Sequence, residues 1–213
     1  MSPAEQYFSR SPSGASRPAT VTLTLPDATL HLATDRGVFS ADGVDAGTKL
    51  LLIDGSPPPA DARELVDVGC GYGPIACVLA LRHPDARVWA VDVNERARRL
   101  CTTNAGQLKL ANLVICAPED VPEDLLVDGI YSNPPIRIGK VALHELLLGW
   151  LGRLSPGGRA GLVVHRHLGA DSLQRWLQNE GFPVVRATSR GGYRLLDVAS
   201  SEEPSSSPAA GAS

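Results

Sequence analysis

Polar and apolar residues alternate from Thr20 to Thr34 on both sides of Pro26-Asp27, which predicts two half-buried strands joined by a tight turn. The run Asp45-Ala46-Gly47-Thr48-Lys49 followed by Leu50 to Ile53 predicts a short helix packed on the core, halted before Pro57-Pro58-Pro59. From Leu65 onward the pattern changes to strand, helix, strand, helix. Strands are expected near 65–68, 87–91, 113–116, 129–132, 159–164, 183–187 and 193–198, and helices near 75–82, 95–109, 140–154 and 170–180. Such alternation implies a doubly wound, mostly parallel α/β sheet that binds ligands at the carboxyl ends of its strands. The last two strands, joined across Ser189-Arg190-Gly191-Gly192, are expected to form an antiparallel edge hairpin.

Composition narrows the class without changing this picture. A chain of 213 residues that is 43% apolar suits a single buried domain, here expected over residues 20–199. A Ser-, Pro- and Gly-rich stretch predicts a disordered arm over 1–19, and a Ser-, Pro-, Ala- and Glu-rich stretch a disordered tail over 200–213. Twenty Lys plus Arg against 23 Asp plus Glu give a net charge of −3, so no global basic field is available and any RNA contact requires a local patch. Cys70, Cys77, Cys101 and Cys116 have neither C-x-x-C spacing nor paired histidines, so no metal site or disulfide framework is indicated and buried free thiols are expected. Met1 to Arg10 carry no apolar signal core, and no apolar run approaches the roughly 18 residues of a spanning helix. A cytoplasmic protein with no membrane contact is the expectation.

Two stretches carry candidate chemistry. Gly69-Cys70-Gly71-Tyr72-Gly73 follows one strand and precedes a helix, where a chain must turn sharply and a ligand can approach bare backbone. Pro74 stands where the third glycine of a nicotinamide-binding loop would be, which counts against a dinucleotide site. Asp92 ends the next strand, about 20 residues beyond the loop, the location of a ribose-binding carboxylate. The alternative is a plain tight turn with Asp92 as a helix cap.

The second stretch, Asn133-Pro134-Pro135-Ile136, leaves another strand. Two prolines remove competing N–H donors, so main-chain carbonyls and the Asn133 side-chain oxygen could converge on an NH2 group. Held in this way, an amine could be aimed at an electrophile without a strong general base. A rigid strand-exit turn is the local alternative.

Asp67-Val68-Gly69-Cys70-Gly71-Tyr72-Gly73, Asp92-Val93-Asn94 and Asn133-Pro134-Pro135-Ile136 together resemble class I S-adenosylmethionine-dependent methyltransferases. With Gly37-Val38-Phe39-Ser40 and Asp45-Ala46-Gly47-Thr48, the set is similar to the catalytic domain of small-subunit ribosomal RNA guanine-N2 methyltransferases, especially their short single-domain relatives. The resemblance runs over residues 20–199. It implies a Rossmann-like seven-stranded sheet with a small N-terminal β-hairpin extension, and S-adenosyl-L-methionine as cofactor. Asp67, Gly69, Cys70, Gly71, Asp92, Val93, Asn94 and Asn133 would line the cofactor. Asn133 and Pro134 would hold the amine, and the side chain after Pro135 would cover the target ring. Ile136 departs from the commoner aromatic residue there, giving up part of the roughly 1–3 kcal/mol of base stacking. Larger members carry an additional N-terminal half, for which these 213 residues leave no room.

On this reading the partner is RNA, with ribosomal RNA or a ribosomal subunit expected, and Phe39, Arg137 and Lys140 are candidate substrate contacts, the two cations being equally readable as solvated and Phe39 as a core residue. His165 and His167 follow a strand end near the expected site, in a spacing better suited to hydrogen bonding than to metal. Two other readings remain open: an N-methyltransferase of a protein glutamine or small amide, and a non-catalytic cofactor-binding partner subunit.

Overall fold

The computed structural model describes residues 16–201. Strands β1 (Ala19–Thr24) and β2 (Thr29–Thr34) form the expected antiparallel ribbon, closed by a Leu25 N–H to Ala28 carbonyl bond of 2.8 Å. Its alternation is realised as one buried face, Val21, Leu23, Leu30 and Leu32, which joins the core of the main domain. The ribbon begins slightly ahead of the expected boundary. Ser16 and Arg17 already donate to the Asp35 carboxylate, so the ordered part includes the end of the stretch read as a disordered arm. The rest of that arm, residues 1–15, and nearly all of the tail, residues 202–213, lie outside the described residues.

Seven strands build the main sheet: β3 (Glu64–Val68), β4 (Arg87–Val91), β5 (Leu113–Cys116), β6 (Val127–Ser132), β7 (Leu154–His165), β8 (Val184–Arg190) and β9 (Tyr193–Ala199). Their spatial order is β5-β4-β3-β6-β7-β9-β8, parallel except where β9 pairs antiparallel with β7 and β8. β7 starts at Leu154, well before the expected Arg159, and β8 runs on to Arg190. The hairpin turn is thus Gly191-Gly192, both at positive φ (57° and 85°), the backbone that a two-residue turn between twisted strands requires.

Among the described residues five α-helices cover the sheet: α1 (Ala46–Asp54), α2 (Pro74–Arg82), α3 (Glu95–Gln107), α4 (Lys140–Leu151) and α5 (Ala170–Asn179). α1 and α2, with Cys101 of α3, bury their apolar residues with the ribbon in one cluster. α4 and α5 bury Leu143, Leu147, Trp150, Leu173 and Leu177 in the other. Each fully buried Leu, such as Leu65 or Leu162, stabilises the fold by about 1.5–3 kcal/mol relative to exposure. Among the described residues no helix is long and apolar enough to cross a membrane.

Strand order reverses between β3 and β6, where successive crossovers leave in opposite directions and open a crevice at the carboxyl ends. The two motif-bearing loops leave from these two strands. Ser132 at the end of β6 donates to the Val68 carbonyl at the end of β3 (2.6 Å), fixing one loop relative to the other.

Candidate active site

The glycine loop is shaped by backbone demands. Gly69, Gly71 and Gly73 all have positive φ (76°, 57° and 93°), a region that side chains rarely adopt. A Cβ on Gly73 would lie 2.6 Å from Cys101 Sγ, so the loop closes directly onto α3 there. A Cβ on Gly71 would meet nothing within 4 Å, because that glycine faces the open cleft. Pro74 is the first residue of α2, where its missing N–H removes no helix bond.

Two carboxylates hold the loop. Asp92 accepts from Gly71 N–H and Asn94 N–H, both at 2.8 Å, and burial raises its pKa against the pull of those donors. Asp67 is wholly buried beneath the loop, where Oδ2 accepts from Ala76 N–H (2.9 Å) and Oδ1 has no partner. Burial pushes the Asp67 carboxyl up to about 8, so it is largely protonated at neutral pH. It thus supports the loop from below, and forms no wall of the cleft.

A cleft of about 340 Å³ is lined by Gly69, Cys70, Gly71 and Tyr72 on one side and by Asn133, Asp45, Thr48 and Phe39 on the other. A second, of about 610 Å³, is lined by Asp92, Val93, Val91 and Pro118 together with Glu145 and Trp150 of α4. Gly69 borders both. The motifs read as separate halves of one reaction therefore share a single crevice.

Around Asn133 the geometry is set by side chains. Its Nδ2 donates to Asp45 Oδ1 (2.9 Å) and to Thr48 Oγ1 (3.1 Å). A carboxylate only accepts, so the amide nitrogen must face Asp45 and the amide oxygen is directed elsewhere. Pro135 has φ −75° and ψ 72°, and Ile136 N–H donates to the Pro134 carbonyl at 2.8 Å; this is an inverse γ-turn. The Pro134 carbonyl retains its second lone pair.

The remaining candidates fall in different places. Phe39 is 64% exposed at the cleft rim, presented by a loop in which Ser40 has φ 58°. Ile136 packs against the second core cluster, and Arg137 and Lys140 are exposed just beyond it. The Asn94 side chain is occupied in capping α3 through Arg96 N–H and Ala97 N–H, while its Nδ2 donates to the Gly37 carbonyl and so anchors the Phe39 loop. His165 ends β7, edge-on to Tyr193 at 5.0 Å between ring centroids. Cys70, Cys77 and Cys101 are buried free thiols, and Cys116 is half-buried. No group of three or more His, Cys, Asp or Glu among the described residues is arranged to hold a metal.

Four cleft and near-cleft residues were given no site role from the sequence: Tyr72, Asp45, Thr48 and Tyr193. The Tyr72 hydroxyl is one of three buried polar atoms without a partner among the described residues. Burial, reinforced by the Asp45 charge, pushes it up to about 12, so it remains an O–H donor. Asp45 and Thr48 had entered the sequence reading only as part of a motif shared with the family, with no role assigned to either.

The residues present fit S-adenosylmethionine. Gly69 and Gly71 leave bare backbone at the crevice, each Asp92 oxygen keeps an acceptor direction for a ribose hydroxyl, and the Tyr72 hydroxyl is an unpaired donor for an anionic group. Fold and site define the class of S-adenosylmethionine-dependent methyltransferases. The family model described as the methyltransferase small domain matches residues 29–197, and the chain belongs to that family.

Relatives are similar over different spans. The chain is 33% identical over 195 residues to the Bacillus subtilis protein YbxB, described as uncharacterized, covering 90% of this chain and 96% of that one. It is 36% identical over 161 residues to ribosomal RNA small subunit methyltransferase C of Hahella chejuensis, covering 73% of this chain and 45% of the relative. A ribosomal RNA large subunit methyltransferase G from a Shewanella strain is 29% identical over 84% of this chain and 48% of its own length. The chain thus spans about half the length of these ribosomal RNA methyltransferases. The fold also superposes on T. thermophilus RsmC, solved with AdoMet and guanosine, with TM-score 0.69 and 21% identity over 91% of this chain and 52% of that one.

Proposed function

We propose that this protein methylates an exocyclic amine of an RNA base, with guanine N2 of small-subunit ribosomal RNA as the first candidate. One observation carries the reading: Asn133 and the glycine loop line one cleft, with the Asn133 amide nitrogen tied back and its oxygen free to accept from an NH2 group. Similarity to relatives named as ribosomal RNA methyltransferases supports RNA as the acceptor.

Bound across Gly69, S-adenosylmethionine would supply an electrophilic methyl on a sulfonium. Gly69, Cys70 and Gly71 would line its methionine half, Tyr72 its carboxylate, and Asp92 with Val93 its ribose side; Asp67 would hold the loop in shape from beneath. Asn133 Oδ1 and the Pro134 carbonyl would each accept one N–H of the target amine. That grip orients the nitrogen lone pair toward the methyl and favours a pyramidal nitrogen, a geometry reached only as the bond forms. The proton released afterwards passes to solvent, so no buried base is required.

Phe39 offers an aromatic face at the rim, a place for the stacking that Ile136 does not provide. Arg137 and Lys140, exposed beside the clamp, would meet phosphates and so position the RNA without reading its sequence. The test is incubation of the purified protein with labelled S-adenosylmethionine and ribosomal particles from cells lacking it, followed by separate ribonuclease and protease digestion. Label lost with ribonuclease is the expected result. Label that survives ribonuclease and is released by protease would move the acceptor to protein.

A further inference from the structure

Asn133 can serve as an acceptor only while its oxygen, and not its nitrogen, faces the cleft. An unrestrained amide could turn over and present two donors to the substrate amine, which would repel it. We infer that Asp45 is the positioning residue that prevents this turn, with Thr48 and Tyr193 holding Asp45 and Asn133 in place; the inference rests on the reading of Asn133 as the amine acceptor.

The arrangement is specific. Asp45 Oδ1 accepts from Asn133 Nδ2 at 2.9 Å while also capping α1 through Gly47 N–H (2.8 Å) and Thr48 N–H (3.1 Å). Its other oxygen, Oδ2, accepts from the Tyr193 hydroxyl at 3.0 Å. The carboxylate is therefore fixed from two sides before it meets the amide. Thr48 Oγ1 takes a further Asn133 Nδ2 contact at 3.1 Å and is itself buried. Gly47 contributes independently: a Cβ there would lie 2.6 Å from Tyr193 Cε1, so only a glycine lets the ring lie against the start of α1 with its hydroxyl on Asp45. A plain helix cap needs neither Tyr193 nor Asn133.

Three variants separate positioning from folding. Asp45→Ser keeps a good cap but is too short to hold the amide. Asp45→Asn keeps both the cap and an oxygen able to accept from Asn133. Thr48→Val removes one contact at similar volume. With labelled S-adenosylmethionine and the acceptor particle, Asp45→Ser should lower kcat about 10–100-fold, the range seen when a supporting partner of a site residue is removed. S-adenosylhomocysteine affinity should stay within about threefold, as for any interaction made only on the acceptor side. Asp45→Asn should recover most of the lost turnover, and Thr48→Val should lose the least.

Parental turnover in Asp45→Ser, or a loss shared equally between kcat and cofactor affinity, would overturn the inference; the latter would make Asp45 a cofactor ligand. If Asp45→Ser does not fold, Tyr193→Phe measured in the same way decides, a lower kcat at unchanged cofactor affinity being expected and parental kcat being contrary. Full activity in Asn133→Ala would instead remove the underlying reading of the clamp.

Discussion

The two halves of the crevice are built by different means. On the cofactor side, positive-φ glycines and main-chain donors shape the loop: Gly69 and Cys70 N–H bond the Val91 carbonyl, and Asp92 accepts from the N–H groups of residues 71 and 94. On the acceptor side a single amide is held by side chains 88 and 85 residues away in sequence, the first of them, Asp45, braced from β9 by Tyr193. Backbone-built sites tolerate side-chain exchange but not loss of glycine. Side-chain-built sites have the opposite sensitivity, and that contrast can be tested one residue at a time.

Asn133→Ala should show the largest effect. Removing an acceptor aimed at the reacting nitrogen should lower kcat by about 10²–10³-fold, comparable to loss of one oxyanion-hole donor, with cofactor affinity nearly unchanged. Single-turnover label transfer alongside calorimetric titration with S-adenosylhomocysteine measures both. On the cofactor side the next largest effect concerns stability. The unfolded chain ionises Asp67 near pH 4, whereas the folded protein keeps its proton to about pH 8. Between those values the folded state binds the extra proton, so this group weakens folding as pH rises, and the slope ends above pH 8. Asp67→Asn should flatten that slope. In urea unfolding at pH 5 and pH 8, the parent should lose on the order of a few kcal/mol relative to the variant.

Two smaller effects sharpen the contrast. Gly73→Ala combines unfavourable φ with a 2.6 Å approach to Cys101 Sγ and should destabilise by about 2–3 kcal/mol; Gly71→Ala, strained but unobstructed, should destabilise by about 1 kcal/mol in the same assay. Phe39→Leu keeps an apolar rim but removes the ring. It should raise KM for the RNA about 5–20-fold, the lower part of the stacking range, with kcat and cofactor affinity little changed.

What the sequence revealed follows the same division. The alternation of the ribbon, the strand-helix repeat, the glycine loop and Asp92 were legible because each is a local pattern written within a few residues. Phe39 was a candidate substrate contact in a loop where a lone apolar side chain is more often core, and its exposure at the rim appears only in the structure. The brace on Asn133 was not, since nothing near residue 133 shows that residues 45, 48 and 193 converge on it. Asp45-Ala46-Gly47-Thr48 did contribute to the family resemblance, but that resemblance assigned it no contact with Asn133. Ile136, expected from the resemblance to cover the target ring, follows the γ-turn at Pro135 half-buried against the second core cluster. Strand ends were also misjudged where Pro156, Gly157 and Gly158 interrupt the pattern yet β7 runs on through them.

Placing the bound cofactor relative to the clamp tests the central claim most directly. A crystal structure with S-adenosylhomocysteine should show the ligand crossing Gly69, its ribose on Asp92 and its sulfur turned toward Asn133 Oδ1, with room between them for a methyl and an amine nitrogen. A ligand whose sulfur faces away from Asn133, or that lies wholly on the Asp92 side of Gly69, would contradict the account.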